Sequence, residues 1–281
     1  MNQLEFMVGG RRWNVDLKAP LDLAITLDFD GPQPSFFAPT PALAEPLRVG
    51  GFTGNVASGA SCNCAVLTFA PHCHGTHTEC VGHVTRGAVH IAEVTPVAPS
   101  LALLVTVHPV TLGDVGPVAA QNSSATDSCI TRDALEAAAA RWHDDPWTAL
   151  LVRTAPNPVA KQHRSYNDGP APAPYFLREA MQWIVTRNVT SLVVDLPSLD
   201  RADDGGHLVA HRTYWGLPPA SVDARQAVRP AALVTELAYM PDSIPDGLYL
   251  LDLQVPAFAT DAAPSRPVIY AVTEDPERAK G

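Results

Sequence analysis

The sequence predicts an α/β domain with a mostly β core, on three observations. Short runs rich in Val, Leu and Ile recur between turn residues at strand length. Helical periodicity is credible in only two segments. The 27 prolines punctuate the chain into short segments and leave little room for long helices. With 281 residues there is ample material for a buried core, and one domain over 1–281 is expected.

Taken in order, "PSFFAPTPALAEP" (34–46) holds too many prolines for a helix interior and reads as a loop. "CAVLTF" (64–69), "LALLVTV" (101–107), "ALLVRT" (149–154), "SLVVDL" (191–196), "AALVTEL" (231–237), "LYLLDLQV" (248–255) and "PVIYAV" (267–272) fit strands. Several are nearly continuous apolar runs, which predicts strands covered on both faces. "TRDALEAAAARWH" is Ala-rich and begins with Thr131 as N-cap. "FLREAMQWIVTR" sets Leu177, Ala180, Met181 and Ile184 on one helical face. "PNPVAKQHRSYNDGPAPAPY" (156–175) is the second long irregular stretch, a length usual for functional loops.

Charge narrows the partners. The formal net charge is −10, from 19 basic and 29 acidic residues, and there is no Lys/Arg run. Nucleic acid and anionic membranes are poor partners for such a chain, because binding them requires neutralising phosphate. No stretch approaches a membrane span, and the N-terminus does not read as a secretory signal, so a cytoplasmic protein is expected. Of five cysteines, Cys62, Cys64, Cys73 and Cys80 lie close together, a spacing that suits free thiols or ligands better than a disulfide framework.

The densest chemistry is "HCHGTHTECVGH" (72–83), with four His, two Cys and one Glu. In an extended chain Cys73, Gly75, His77 and Glu79 share one face, and His72, His74 and Thr76 the other. Thiolate, imidazole and carboxylate together suit a borderline divalent metal. Cys80 reads as a small buried hydrophobe. Further donors lie downstream. His207 and His211 fall in "DLPSLDRADDGGHLVAHRTYWG", and Glu236 ends an apolar strand, where a carboxylate is costly unless paired or ligating. Asp195 ends "LVVD" in the same way.

At these residues the chain resembles the cyclase family of metal-dependent hydrolases, which includes bacterial kynurenine formamidase and isatin hydrolase. Three ordered motifs carry the resemblance: "CHGTHTECVGH" (73–83) against H-x-G-T-H-x-D-x-x-x-H, then "DLPSLD" with "AHRTYWG", then "TELAYMPDSIPDGLYLLDLQVPAFATDAAPSRPV". The resemblance implies a swivelling β/β/α domain, a homodimer or larger oligomer, and one or two zinc or manganese ions. It implies metal ligation by Cys73, His77, Glu79, His211 and Glu236, with His83 linked to proton transfer. Two positions depart from the motif. Cys73 stands at the first His, and the alternatives are thiolate ligation or a small loop shift that turns in His72 or His74. Glu79 replaces Asp and reaches one methylene further.

The implied reaction is hydrolysis of a C–N bond in an amide, formamide or lactam, most like an arylformamidase of the N-formylkynurenine type. An imidazole at His83 suits proton transfer in both directions near neutral pH. The substrate is then a small molecule, with an aromatic ring that Tyr214 and Trp215, or Phe36 and Phe37, could pack against. The alternatives are a non-catalytic metabolite- or metal-binding protein on the same fold and, less well supported, a nucleophilic Cys73 hydrolase.

Overall fold

The computed structural model describes residues 3–38, 40–87, 89–95, 98–115, 123–167 and 172–275. Eleven strands join in one sheet. In chain order they are β1 (Gln3–Val8), β2 (Arg11–Asp16), β3 (Leu21–Asp22), β4 (His77–Glu79), β5 (Ser100–Val107) and β6 (Ala149–Thr154). They continue with β7 (Ser191–Val194), β8 (Leu233–Glu236), β9 (Gly247–Gln254), β10 (Ala262–Pro264) and β11 (Arg266–Glu274). The order across the sheet is β1-β2-β11-β9-β5-β6-β7-β8-β4-β10, with β3 pairing β11.

Strands β5, β6, β7 and β8 are parallel neighbours at its centre. Antiparallel strands flank them on both sides, β9 against β5 and β4 against β8. The continuous apolar runs have their expected cause, since alternate residues enter different cores. Leu101, Leu103, Val105, Leu150, Val152, Leu192 and Val194 face the helices, while Ala102, Leu104, Leu151, Val193 and Leu233 face the other way.

Three helices matter here: α1 (Arg132–Ala139), α2 (Arg178–Thr186) and α3 (Val209–Trp215). The Thr131 hydroxyl caps α1 by accepting from the Ala134 N–H at 3.2 Å. Ala180, Met181 and Ile184 of α2 are buried, as their spacing predicts. Among the described residues no helix is long and apolar enough to cross a membrane.

Two expectations need correction. The "CAVLTF" segment does form a strand, Ala65–Thr68, but it is exposed and pairs with Leu43–Pro46. That partner belongs to the stretch expected as loop, and its one proline, Pro46, is the last strand residue, where no ladder N–H is needed. The pair is a ribbon lying outside the main sheet, with Leu43, Val66 and Leu67 all exposed. Part of the 156–175 stretch, residues 168–171, lies outside the described residues.

Candidate metal centre

The site forms where the parallel strands end. Ligands in open α/β sheets gather beyond the carboxyl ends of the strands, and Glu236 is the last residue of β8. Its cross-strand partner on β4 is His77, while Glu79 lies opposite Val234. Residues directly opposite, and those two apart on one strand, share a face. His77, Glu79 and Glu236 therefore point together toward the helical side, with His77 Nε2 3.4 Å from Glu236 Oε2.

Two backbone features hold this geometry. Gly75 has φ +85°, a conformation that favours glycine and turns the chain into β4. Thr76 then ties β4 to the chain beyond β8. Its hydroxyl donates to Leu237 O at 2.6 Å and accepts from the Ile25 N–H at 2.8 Å. Leu237 has φ +53°, rare for a bulky side chain, immediately after Glu236. Glu236 Oε1 also accepts from the Leu199 N–H at 2.9 Å.

Helix α3 brings His211. Asp200, the last residue of "DLPSLD", accepts from the Ala210 and His211 N–H groups at its first turn. The same carboxylate lies 2.6 Å from His211 Nδ1, which turns Nε2 inward. That Nε2 stands 2.9 Å from Glu79 Oε1 and 3.3 Å from Glu236 Oε1.

His83 sits on the 3-10 turn Val81–Val84, with Nε2 3.8 Å from Glu79 Oε2. A Cβ on Gly82 would come within 2.3 Å of Val89 O, so this turn admits only glycine beside His83. The structure thus brings together His77, Glu79, His83, His211 and Glu236.

Cys73 is the exception. Residues Pro71–Cys73 form a 3-10 turn rather than extended chain, so the two-residue alternation fails there. The turn directs His72 inward, with Nδ1 2.9 Å from Glu79 Oε2. Cys73 belongs to none of the groups of potential metal donors among the described residues, whereas His72 joins His77 and Glu79 in one. His74 faces backbone instead, with Nε2 2.9 Å from Thr40 O. Cys80 is fully buried, as expected of a small hydrophobe, and burial pushes its thiol up to about 11.

Tyr214 and Trp215 also depart from expectation. Both are wholly buried in the core under the sheet. The Tyr214 hydroxyl donates to Leu233 O at 3.0 Å and the Trp215 indole to Ala232 O at 2.8 Å. Trp215 backs the His211 ring at 5.6 Å and presents no face to a substrate. Tyr214→Phe is expected to cost about 1 kcal/mol of stability, the worth of one hydrogen bond, with KM unchanged. Chemical denaturation and steady-state kinetics check both, and a raised KM would return Tyr214 to the substrate.

Two contributors were not given roles from sequence. Asp200 was visible as the end of a motif just before a helix. Asp261, with Oδ2 2.8 Å from His72 Nε2, gave no local signal, because its partners lie far off in sequence.

The donors fit a metal ion. His77 Nε2, both Glu79 oxygens and His211 Nε2 are buried without a hydrogen-bond partner. The short N···O approaches among them lack hydrogen-bond alignment, and each unsatisfied buried group costs about 1–3 kcal/mol. A cation among them would satisfy all four, and imidazole with carboxylate is a donor set for zinc or manganese. Charge also ties the cluster together. Burial alone would raise the Glu79 carboxyl, yet the imidazoles of His83 and His211 hold it well below the usual carboxylate range. Burial would lower His211, yet Glu79, Asp200 and Glu236 keep it well above the usual imidazole value.

A family model described as "Putative cyclase" matches residues 15–201. His211, Glu236 and Asp261 lie beyond that segment. No curated protein matches the chain at a significant level. Similar solved structures include an isatin hydrolase bound to the product analogue thioisatinate, with TM-score 0.59, 13% identity, and 90% of this chain and 92% of that one covered. Isatin hydrolase A from Ralstonia solanacearum gives TM-score 0.58 at 16% identity, covering 90% and 92%. A predicted metal-dependent hydrolase from Bacillus stearothermophilus gives 0.55 at 16% identity, covering 90% and 98%. The mostly β sheet, its helical cover and the matched motif segment therefore place this chain in the cyclase family, with the fold of those hydrolases.

Proposed function

We propose that the protein is a metal-dependent hydrolase that opens a C–N bond of an amide, formamide or lactam, most like an arylformamidase. It acts as a single domain over the whole chain. The observation that carries the reading is the convergence of unpartnered, buried His77 Nε2, Glu79 Oε1 and Oε2, and His211 Nε2, an imidazole and carboxylate donor set. Glu236 and His72 complete the set, which suits one or two zinc or manganese ions. When bound, such an ion supplies Lewis acidity to a carbonyl and acidifies its water.

The chain's own residues supply the rest. His83 is about one-quarter exposed, at the rim of the donors, where its Nε2 can take a proton from the attacking water and return it to the leaving nitrogen. Gly75, Asp200 and the Leu237 turn fix the donors before substrate arrives, which lowers the reorganisation needed at the reacting centre. The aromatic contact moves from Tyr214 and Trp215 to Phe37. Phe37 is 64% exposed at φ +58°, and its N–H donates to Asn167 Oδ1 at 2.7 Å. Its neighbour Phe36 donates to Cys73 O at 3.1 Å, which lays this loop beside the His72 turn. A homo-oligomer is supported by the exposed apolar ribbon of Leu43–Pro46 and Ala65–Thr68, since an isolated two-stranded ribbon is marginal in water.

The test is elemental analysis of protein purified without chelator, followed by assays on aryl formamides, lactams such as isatin, and esters. One or two equivalents of zinc or manganese with chelator-sensitive cleavage of a C–N bond is the expected result. A metal-loaded protein inert across the panel would favour a binding protein instead.

A further inference from the structure

Four imidazoles surround Glu79, and each has its outer nitrogen beside an acceptor. His77 Nδ1 lies 3.1 Å from Gly75 O, and His211 Nδ1 2.6 Å from Asp200 Oδ2. His72 Nε2 lies 2.8 Å from Asp261 Oδ2, and His83 Nδ1 3.4 Å from that same oxygen. An acceptor beside one ring nitrogen keeps the hydrogen there and leaves the lone pair on the other. The nitrogens left over all face the centre: His77 Nε2, His211 Nε2, His83 Nε2 and, uniquely, His72 Nδ1. His77 and His211 have separate acceptors, but His72 and His83 share one.

Asp261 is well placed for that double duty. It directly precedes β10, which pairs with β4 so that Ala262 lies opposite Glu79. Its carbonyl accepts from the Cys80 N–H at 3.0 Å, and Thr260 O accepts from the Ile91 N–H at 2.7 Å. The backbone is therefore fixed on both sides while the carboxylate stays 40% exposed. The two rings it serves lie almost stacked, with centroids 4.2 Å apart at 31°. Neither ring can swing away without losing the shared oxygen.

We propose that Asp261 is a positioning residue, whose one carboxylate fixes both the donor His72 and the proton-handling His83. The inference rests on the proposed metal centre and adds a residue outside the matched family segment. It also explains how a chain with Cys73 at the motif's first position still presents an imidazole. The turn supplies His72 through its Nδ1, and Asp261 locks that orientation.

The test compares wild type with Asp261→Ala and Asp261→Asn, each loaded with zinc. Two quantities are read: zinc affinity by competition with a chelator, and the ring N–H protons of His72 and His83 by nitrogen-15 correlated NMR. Asp261→Ala is expected to weaken zinc roughly 10–100-fold, the usual effect of losing an outer carboxylate. It should also release the His72 Nε2–H and His83 Nδ1–H signals to solvent exchange together, while the His211 signal persists. Asp261→Asn, whose carbonyl oxygen can take the place of Oδ2 beside both rings, should retain both signals and lose less affinity. Signals and affinity like wild type in Asp261→Ala would overturn the inference. If wild type binds neither zinc nor manganese, the hydrolase reading fails separately, and the same ring signals in the metal-free proteins still decide Asp261: joint loss supports the role, and no change overturns it.

Discussion

Glu79→Gln is expected to abolish metal uptake and to lower turnover by roughly 10²–10³-fold, the scale of losing a preorganised electrostatic contact in a dry site. The side chain is fully buried, both oxygens lack hydrogen-bond partners, and it stands between His72 on one side and His211 on the other. Gln keeps the shape but removes the charge and turns an NH₂ toward one of the imidazoles. Thermal unfolding with and without added zinc or manganese gives the direct check. In wild type an ion at 100 times its Kd adds about 2.7 kcal/mol, and the variant should show no such rise. Undiminished binding in Glu79→Gln would remove Glu79 from the centre of the site.

Lys161→Ala carries the largest expected loss of stability, about 3–5 kcal/mol, because it strands a buried charge. The ammonium donates to Asp195 Oδ2 at 2.7 Å, Thr154 O at 2.7 Å and Thr154 Oγ1 at 2.9 Å, all buried. Burial pushes the Asp195 carboxyl above its usual value, with Lys161 the main opposing influence. The folded state then holds a proton that the unfolded state has released, so stability falls as pH rises from the unfolded value through the folded one. Removing Lys161 extends that window upward. The deficit of the variant should therefore be larger at about pH 8 than at about pH 5. Urea titrations at both values test it, and a small or pH-independent deficit would show that Asp195 is not charged in the fold.

The same residues show how much could be read from sequence. The central strands were legible because parallel strands buried on both faces leave continuous apolar runs, as in Ser191–Val194. Glu236 stood out because a carboxylate ending such a run demands a reason, and His77 and Glu79 stood out by their spacing on an extended segment. What failed was local conformation. The Pro71–Cys73 turn exchanged Cys73 for His72, and nothing in the cluster distinguished three residues of turn from three of strand. The hairpin of β1 and β2 had its signal in Gly9 and Gly10 between alternating residues, yet went unread. Tyr214 and Trp215 follow His211 so closely that they looked like neighbours of a substrate. Helical geometry instead points them into the core. Asp261 could not be found from one sequence, because its meaning depends on His72, 189 residues away, and on His83 beside it.

That distance has a consequence for synthesis. Strand β4 is hydrogen-bonded on one side to β8 and on the other to β10, both made long after it. While a ribosome is still building the middle of the chain, the His-rich segment has no ladder on either side and no opposing carboxylate. Contacts of such long sequence separation form late and slowly. The complete donor set, with His211 and Glu236, therefore comes together only once the later strands have joined β4.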